Sequence, residues 1–549
     1  MPTISERQVV HSALWAAYGD AVGFPTELIS EHEFEKRTGK KRVVGTMHWS
    51  KRVGGLFGPE IFFPQGSYSD DTQLRLSVSR SIAGDGFFDV ESFAKIELPV
   101  WLNYALGAGR ASKLAAANLA LKDSTWSQNF FQSAQVQYWN GGGNGAVMRI
   151  QPHVWAGHSH DPAAFMGDVV RNAVCTHGHP RAIIGAAIHA QCLYVTLRNG
   201  RPSAPKEWAE LGSIAAGQAR QSLLDDEELS LVWVPYWEQR SGHNLRKAWD
   251  LTTAEWLAAC KSASSTCGTH APPELRYRAI LSELGGFGSA ERGSGLKTPL
   301  YANVLAWLYR DEEPKVPLLL SANSFGSDTD TIGTLAGALV GAVASAAPRE
   351  ELQDSVYIAS EARRMYAVGA GQKQPGFKYP DLLKWSAPKT QSDAWICRGP
   401  DAALAGLGSL QMMGPEFPSP KGPSLIYQWC ELPFGQTILA KRKSQRSEKT
   451  VKTESIGSPA QTPQTTGSKV VSALTKTESV KASQMQNRDA LADKNISLDQ
   501  RTRLCINGNF DPQILGENLL AVINGSEGIE RAVAFAAIIA KAKIARDQR

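Results

Sequence analysis

The sequence predicts an all-α main domain, and three observations carry the prediction. Long segments set small and apolar residues at helical spacing, as in ERQVVHSALWAAYGDAVG, PRAIIGAAIHAQCLYVTLRNG and PLYANVLAWLYRDEE. Glycine-rich stretches separate them, and strand-like alternation is scarce as far as about Arg364. The 549 residues are 42% hydrophobic with 15 tryptophans, enough for one large packed core with additions.

At the N-terminus, MPTISERQVVHSALWAAYGDAVG has acidic and polar residues where an export signal needs a basic start and an unbroken apolar run. A cytoplasmic setting is expected. Cys175, Cys192, Cys260, Cys267, Cys397, Cys430 and Cys505 form no CxxC pair, so they read as reduced thiols rather than a disulfide framework or a zinc site. The net charge of +5 is small for this length and comes largely from the stretch after Leu439, which gives nucleic-acid binding little weight.

GSYSDDTQLRLSVSRSI, Gly66 to Ile82, sets Ser69, Asp70 and Asp71 at the mouth of a helix with a buried face. Adjacent carboxylates repel, and their charged form is costly near an apolar interior. Helix capping is the ordinary explanation for one such cluster. The device recurs in SANSFGSDTDTIGTLAGALVGA, where Asp328 and Asp330 flank Thr329 and precede Thr331. The apolar run that follows is too short and too rich in Ala and Gly for a membrane span, and its spacing of Gly337 and Gly341 marks a central helix approached closely by its neighbours. Two such mouths can face one another across a bundle. Carboxylates with hydroxyls suit Mg²⁺ or Mn²⁺ rather than zinc, and two ions would offset the converging acids.

Between the two clusters, GAGRAS (Gly107 to Ser112) and GGGNGAVMRI (Gly141 to Ile150) lack the Lys and Ser/Thr of a P-loop and do not follow a strand as a dinucleotide fingerprint must. Their backbone N–H groups can still approach a diphosphate. In CTHGHPRA, Cys175 has no identified base and reads as inert, while His177 is a candidate to meet a ribose or phosphate.

Residues 371–440 change texture to Pro, Gly, Trp and Lys and form an expected small mixed appendage of unknown role, with SLIYQWCELPFGQTILAKRK as two short strands around a turn. Residues 441–495, rich in Ser, Thr, Lys and Gln, read as a disordered linker. Residues 496–549 recover helical order, with Asp511-Pro512 a good helix opening, and are expected to form a small helical module that contacts a protein partner or docks back.

Five ordered motifs now carry a resemblance. GDAVGFPTE (Gly19 to Glu27), GSYSDDTQ, GNGAVMRI through Pro152, CTHGHP and GSDTDTIGTLAGALVGA resemble those of the ADP-ribosylglycohydrolases of the dinitrogenase-reductase-activating type, over about Glu6 to Ala346. The resemblance implies an orthogonal multi-helix domain (1–370) with two Mg²⁺ or Mn²⁺ ions that hydrolyses the bond between ADP-ribose and an acceptor. By motif, Ser69, Asp70, Asp71, Asp328, Asp330 and Thr331 fall on the metal positions, with Ser69 replacing the more usual Thr. Gly107, Gly109, Gly143, Asn144, Gly145 and His177 fall around the ADP-ribose, and Glu27 or Asp328 is the expected proton-transfer residue. Glu27 matches the glutamate of the branch acting on serine-linked ADP-ribose. Gly107 stands where many arginine-type relatives carry Asp, which weighs against arginine specificity and leaves the acceptor open. The implied partner is an ADP-ribosylated protein or other conjugate, and no membrane. The alternatives are a non-catalytic ADP-ribose-binding or toxin-neutralising protein of the same fold, and recruitment of nucleic acid by the basic linker.

Overall fold

In a computed structural model of the chain, the described residues are 4–55, 57–398, 401–420, 425–444, 497–524 and 528–547. They fall into two compact units, Met1–Gln445 and Arg446–Arg549. The first is predominantly helical, as the sequence predicts.

Its centre is a crossing of two helices. Helix α1, Glu6–Gly23, opens on a capping box between Ser5 and Gln8. Asp70–Ser81 is α2, and Thr329–Val343 is α3, buried from Thr329 through Ala342. The small residues of α3 repeat every fourth position and admit the α1 backbone at contact distance. A Cβ at Gly333 would lie 2.5 Å from the Gly19 carbonyl oxygen, one at Gly341 2.6 Å from that of His11, and one at Gly23 2.5 Å from the Asp330 Cα. Helices Pro180–Asn199, Thr298–Leu308 and Lys315–Ala322 pack around α3.

Buried tryptophans brace this bundle through polar tips as well as area. Trp101 donates to Gln73 Oε1 (3.1 Å), Trp233 to Tyr138 Oη (2.8 Å), Trp237 to Gly178 O (2.7 Å) and Trp256 to Trp208 O (3.1 Å). Gln73 also accepts from Leu106 N (3.3 Å) and donates to Tyr104 O (3.2 Å), which ties α2 to the segment leading into Gly107.

A two-stranded ribbon, β1 (Trp49–Arg52) against β2 (Glu60–Phe63), was not anticipated from sequence; its strands are four residues each, too short for an alternation signal. Further on, Trp395–Arg398, Asp401–Leu404 and Gly408–Ser409 form one antiparallel sheet. Strands β3 (Gln411–Pro418), β4 (Leu425–Glu431) and β5 (Thr437–Lys443) form another, with a bulge between Met413 and Glu416.

The segment 371–440, expected as an appendage, belongs to the first unit and is bonded deep into it. Arg80 pairs with Glu97 (2.7 Å) and donates to Gln436 Oε1 (2.7 Å), while Tyr379 donates to Glu97 Oε1 (2.6 Å). The boundary expected at 441 is corrected: Lys441 is inside β5, its ammonium donating to Leu102 O (3.0 Å) and Gln391 Oε1 (2.9 Å), because β5 pairs with β4 through Lys443. From 445 onward the expected linker lies outside the described residues.

The second unit contains Leu498–Asn507, Pro512–Ile523 and Gly528–Asp547, around Leu498, Cys505, Val522, Ala534 and Phe535. Ser497 and Asp511 cap the first two helices. All seven cysteines are free. Among the described residues no helix is long and apolar enough to cross a membrane.

The crossing makes a stability prediction. Gly333→Val forces the α1 and α3 backbones apart and is expected to cost about 3 kcal/mol or more in urea unfolding. Gly217→Ala, in helix Pro205–Asp225 where a Cβ meets nothing within 4 Å, is expected to add about 0.5–1 kcal/mol. Equal midpoints for the two variants contradict the packing account.

Candidate metal centre

Three chain segments bring acids to one place. After α1 the chain turns through Phe24–Thr26, and Thr329 Oγ1 donates to Gly23 O (2.8 Å) while lying 3.0 Å from Thr26 Oγ1. Leu28 N donates to Ser327 O (3.2 Å), with Leu28 at φ +55°. Glu27 is thereby set against the start of α3. One carboxylate oxygen from each of Glu27, Asp328 and Asp330 lies within 4.8 Å of the others.

The mouth of α2 hangs from α1 by a carboxylate that sequence reading passed over. Asp20 accepts from Ser69 N (2.8 Å), Thr72 N (2.9 Å) and Thr72 Oγ1 (2.6 Å), all buried. Ser69 is the N-cap and accepts from Asp71 N (3.3 Å). Asp70 N donates to Leu106 O (2.8 Å). Across the gap, Thr331 Oγ1 donates to Asp71 Oδ1 (3.3 Å), so the two mouths meet.

Capping does not account for these acids. Ser69 caps α2, and Asp328, although at the N-cap position of α3, makes no capping bond; it accepts from Asn144 Nδ2 (2.7 Å) instead. Asp71 Oδ2 is buried with no hydrogen-bond partner. Burial, then the neighbouring acids, pushes Asp70, Asp71 and Asp330 well above the usual carboxylate range. Burial raises Asp328 to about 6 and Glu27 to about 8, the latter against the pull of Lys51 at 4.0 Å. An oxygen-only donor set with an orphaned carboxylate oxygen and mutual repulsion fits hard divalent cations such as Mg²⁺ or Mn²⁺.

The glycines open space beside the acids. At Gly107, with φ +80°, a Cβ would fall 3.0 Å from Asp70 Oδ1 and 3.5 Å from Glu27 Oε2. Gly109 is the N-cap of Arg110–Leu119 and has open space before it. Gly143 bridges to Ser294, and a Cβ at Gly145 would lie 3.0 Å from His177 Cε1. Asn144, expected on the ADP-ribose, gives its amide to Asp328 and, at 3.2 Å, to Thr298 Oγ1. A second glycine loop that sequence reading missed, Gly285 to Gly295, lies against the first. Asn144 N donates to Gly293 O (3.0 Å), and a Cβ at Gly293 would sit 3.5 Å from Asp328 Oδ2. Its density of glycines was the available signal.

His177 is held beside the glycine turn. Arg149 Nη2 donates to Thr176 Oγ1 (2.8 Å), the Thr176 hydroxyl and His177 Nδ1 share a hydrogen bond (2.8 Å), and Nε2 lies toward Gly143 and Gly145. Burial and Arg149 push the imidazole down to about 3, keeping it neutral. Cys175 is inert as expected: burial pushes its thiol up to about 12 and Sγ donates to Arg171 O (3.3 Å).

The ADP-ribosylglycohydrolase family model matches residues 2–374. Among curated proteins, the ADP-ribosyl-dinitrogen reductase glycohydrolase of Rhodospirillum rubrum is 27% identical over 180 residues, 33% of this chain. The match covers 54% of that protein, so the chain spans about half the length of the curated relative it matches. Among solved structures, a chain of an ADP-ribosylglycohydrolase-related protein complex is similar at TM-score 0.38 and 20% identity, over 66% of this chain and 98% of that one.

The raised carboxylates make a prediction with a definite sign. Unfolded acids ionise near about 4, whereas the folded site holds protons to higher pH, so without metal, stability is lost as pH rises from about 4 through the folded values. Thermal unfolding in EDTA at pH 8 should therefore show Asp330→Asn more stable than the wild type. Mn²⁺ at about 100 times its Kd should stabilise the wild type by about 2.7 kcal/mol and leave Asp330→Asn unmoved. A destabilised Asp330→Asn, or equal Mn²⁺ shifts, contradicts the reading.

Proposed function

Because the chain belongs to the ADP-ribosylglycohydrolase family, we propose that it is a metal-dependent hydrolase removing ADP-ribose from a modified acceptor at the anomeric carbon. The observation that carries the proposal is the meeting of two Ser/Thr–Asp helix mouths, with Thr331 Oγ1 on Asp71 Oδ1 and Asp71 Oδ2 left without a partner.

In this reading Ser69, Asp70, Asp71, Asp328, Asp330 and Thr331 hold two Mg²⁺ or Mn²⁺ ions. When bound, these supply positive charge that offsets the carboxylates and polarises ribose oxygens and water. The chain's own residues do the rest. Gly107 leaves room for the sugar between Asp70 and Glu27. Backbone N–H groups at Gly109, Gly143 and Gly145 face the diphosphate, and the neutral His177 ring meets ribose or phosphate through Nε2. Asn144 fixes the Asp328 carboxylate by its 2.7 Å bond. Departure of the acceptor passes through an oxocarbenium-like state, in which a carboxylate removes the proton of the attacking water and the acceptor gains one. Glu27, which stands beside the cluster and outside the six ligands, and Asp328 are the two acids placed for that transfer.

The substrate is an ADP-ribosylated protein or other ADP-ribosyl conjugate, and the C-terminal helices are the surface offered to a protein partner. The seven free cysteines support a cytoplasmic setting.

Asp70→Ala and Asp330→Ala are expected to lower kcat for ADP-ribose release by about 10³-fold while the far-ultraviolet circular dichroism stays native. EDTA should stop release and Mg²⁺ or Mn²⁺ restore it. A wild type that binds ADP-ribose yet releases none from serine-, arginine- or nucleic-acid-linked substrates with either metal favours the non-catalytic alternative instead.

A further inference from the structure

The carboxylate cluster has two flanks. One is the glycine turns with Asn144 and His177; the other is Glu27 with the ribbon β1–β2. With ADP-ribose on the glycine flank, the acceptor leaves past Glu27. That flank is aromatic and basic. Phe24 packs edge-on to Trp49 (5.0 Å) and Phe63 (5.7 Å), and Trp49 stacks on Phe63 (4.6 Å). The Lys51 ammonium stands 4.9 Å over the Phe24 ring and 4.0 Å from Glu27 Oε2, with its side chain 29% exposed. Arg37 is behind it, 5.7 Å over Trp49 and donating to Pro25 O (3.1 Å).

The backbone that carries Lys51 is held in place. It is paired with Ile61 in the ribbon, and the ribbon is clamped from outside: Trp429 Nε1 donates to Phe62 O (3.0 Å) and the Trp429 ring meets Phe63 edge-on (5.7 Å). Trp429 lies beyond residue 374, where the family match ends. The sheet that holds Lys51 in place is thus outside the matched region.

We propose that Lys51 is a specificity-determining residue that selects ADP-ribose linked to an acceptor oxygen, as in a serine O-glycoside, over ADP-ribose linked to a guanidinium nitrogen. The proposal rests on the hydrolase reading above. The charge change during departure decides the selectivity. When the C1–O bond breaks, its electron pair goes to the acceptor oxygen; water adds hydroxyl to C1 and its proton ends on that oxygen, giving ADP-ribose and the free hydroxyl. Negative charge grows on the oxygen until the proton arrives, and an ammonium beside it is stabilising. A guanidinium-linked acceptor enters carrying positive charge, and its transition state still carries part of it. Lys51 and Arg37 repel that state relative to free substrate, and Lys51 offsets the Glu27 carboxylate that would otherwise receive a cation.

The experiment uses the full chain with Mn²⁺ and matched serine-linked and arginine-linked ADP-ribosyl peptides. The wild type should show the higher kcat/KM on the serine linkage. Lys51→Met should reduce that preference about tenfold, Lys51→Glu should reduce it further, and Lys51→Arg should restore it, with affinity for free ADP-ribose unchanged throughout. Equal losses on both peptides, or a wild type that prefers the arginine linkage, overturn the proposal and leave the hydrolase standing. Release from neither linkage removes the hydrolase reading and the proposal with it.

Discussion

The close approach of α1 to α3 is the contact on which the rest depends. Gly19 and Gly333 face one another so tightly that each would drive a Cβ into the other's carbonyl, and Gly23 meets the first turn of α3 in the same way. No side chain separates the two backbones at these glycines, so the packing fixes where both helices end relative to one another. Everything chemical follows from that placement. Asp20, one residue after Gly19, reaches the mouth of α2; Glu27, just past the end of α1, reaches the mouth of α3.

The arrangement sets packing against electrostatics. Asp20, Asp70, Asp71, Asp328 and Asp330 are all buried, while Arg75 is the buried cation that answers Asp20. Low-dielectric surroundings make such a set self-repelling. The fold tolerates it because Asp70, Asp71, Asp328 and Asp330 stand at helix N-termini, where the dipole favours negative charge, because Asp20 accepts three hydrogen bonds, and because the surrounding helices are pinned by hydrogen-bonded tryptophans. What remains uncompensated, notably Asp71 Oδ2, is what the proposed cations would offset.

Much of this was legible in the sequence for a physical reason. Two Ser/Thr–Asp clusters at the mouths of apolar helices form a local signature, and the repeat of that signature points to their meeting, which the Thr331–Asp71 bond shows. The all-helical domain was legible from periodicity, and the β4–β5 hairpin from strand-like residues around Pro433 and Gly435. Asp20 was not legible as a tether, because an acid within a helical run reads as part of a solvated face until its partners are known. Asn144 was placed on the ligand by motif, yet its amide is committed to Asp328. The integration of 371–440 escaped notice because its anchors, Tyr379, Gln436 and Trp429, are ordinary residues whose partners are hundreds of positions away. Lys441 sits in a basic run that reads as the start of a tether, although its ammonium is hydrogen-bonded inside the fold.

The proposed function requires the mouths of α2 and α3 to hold a pair of hard cations. Anomalous diffraction from crystals grown with Mn²⁺ tests it most directly. Two manganese peaks ligated by oxygens of Asp70, Asp71, Asp328 and Asp330 are the predicted result. Full-occupancy manganese elsewhere, with those carboxylates bonded only to protein or water, would contradict it.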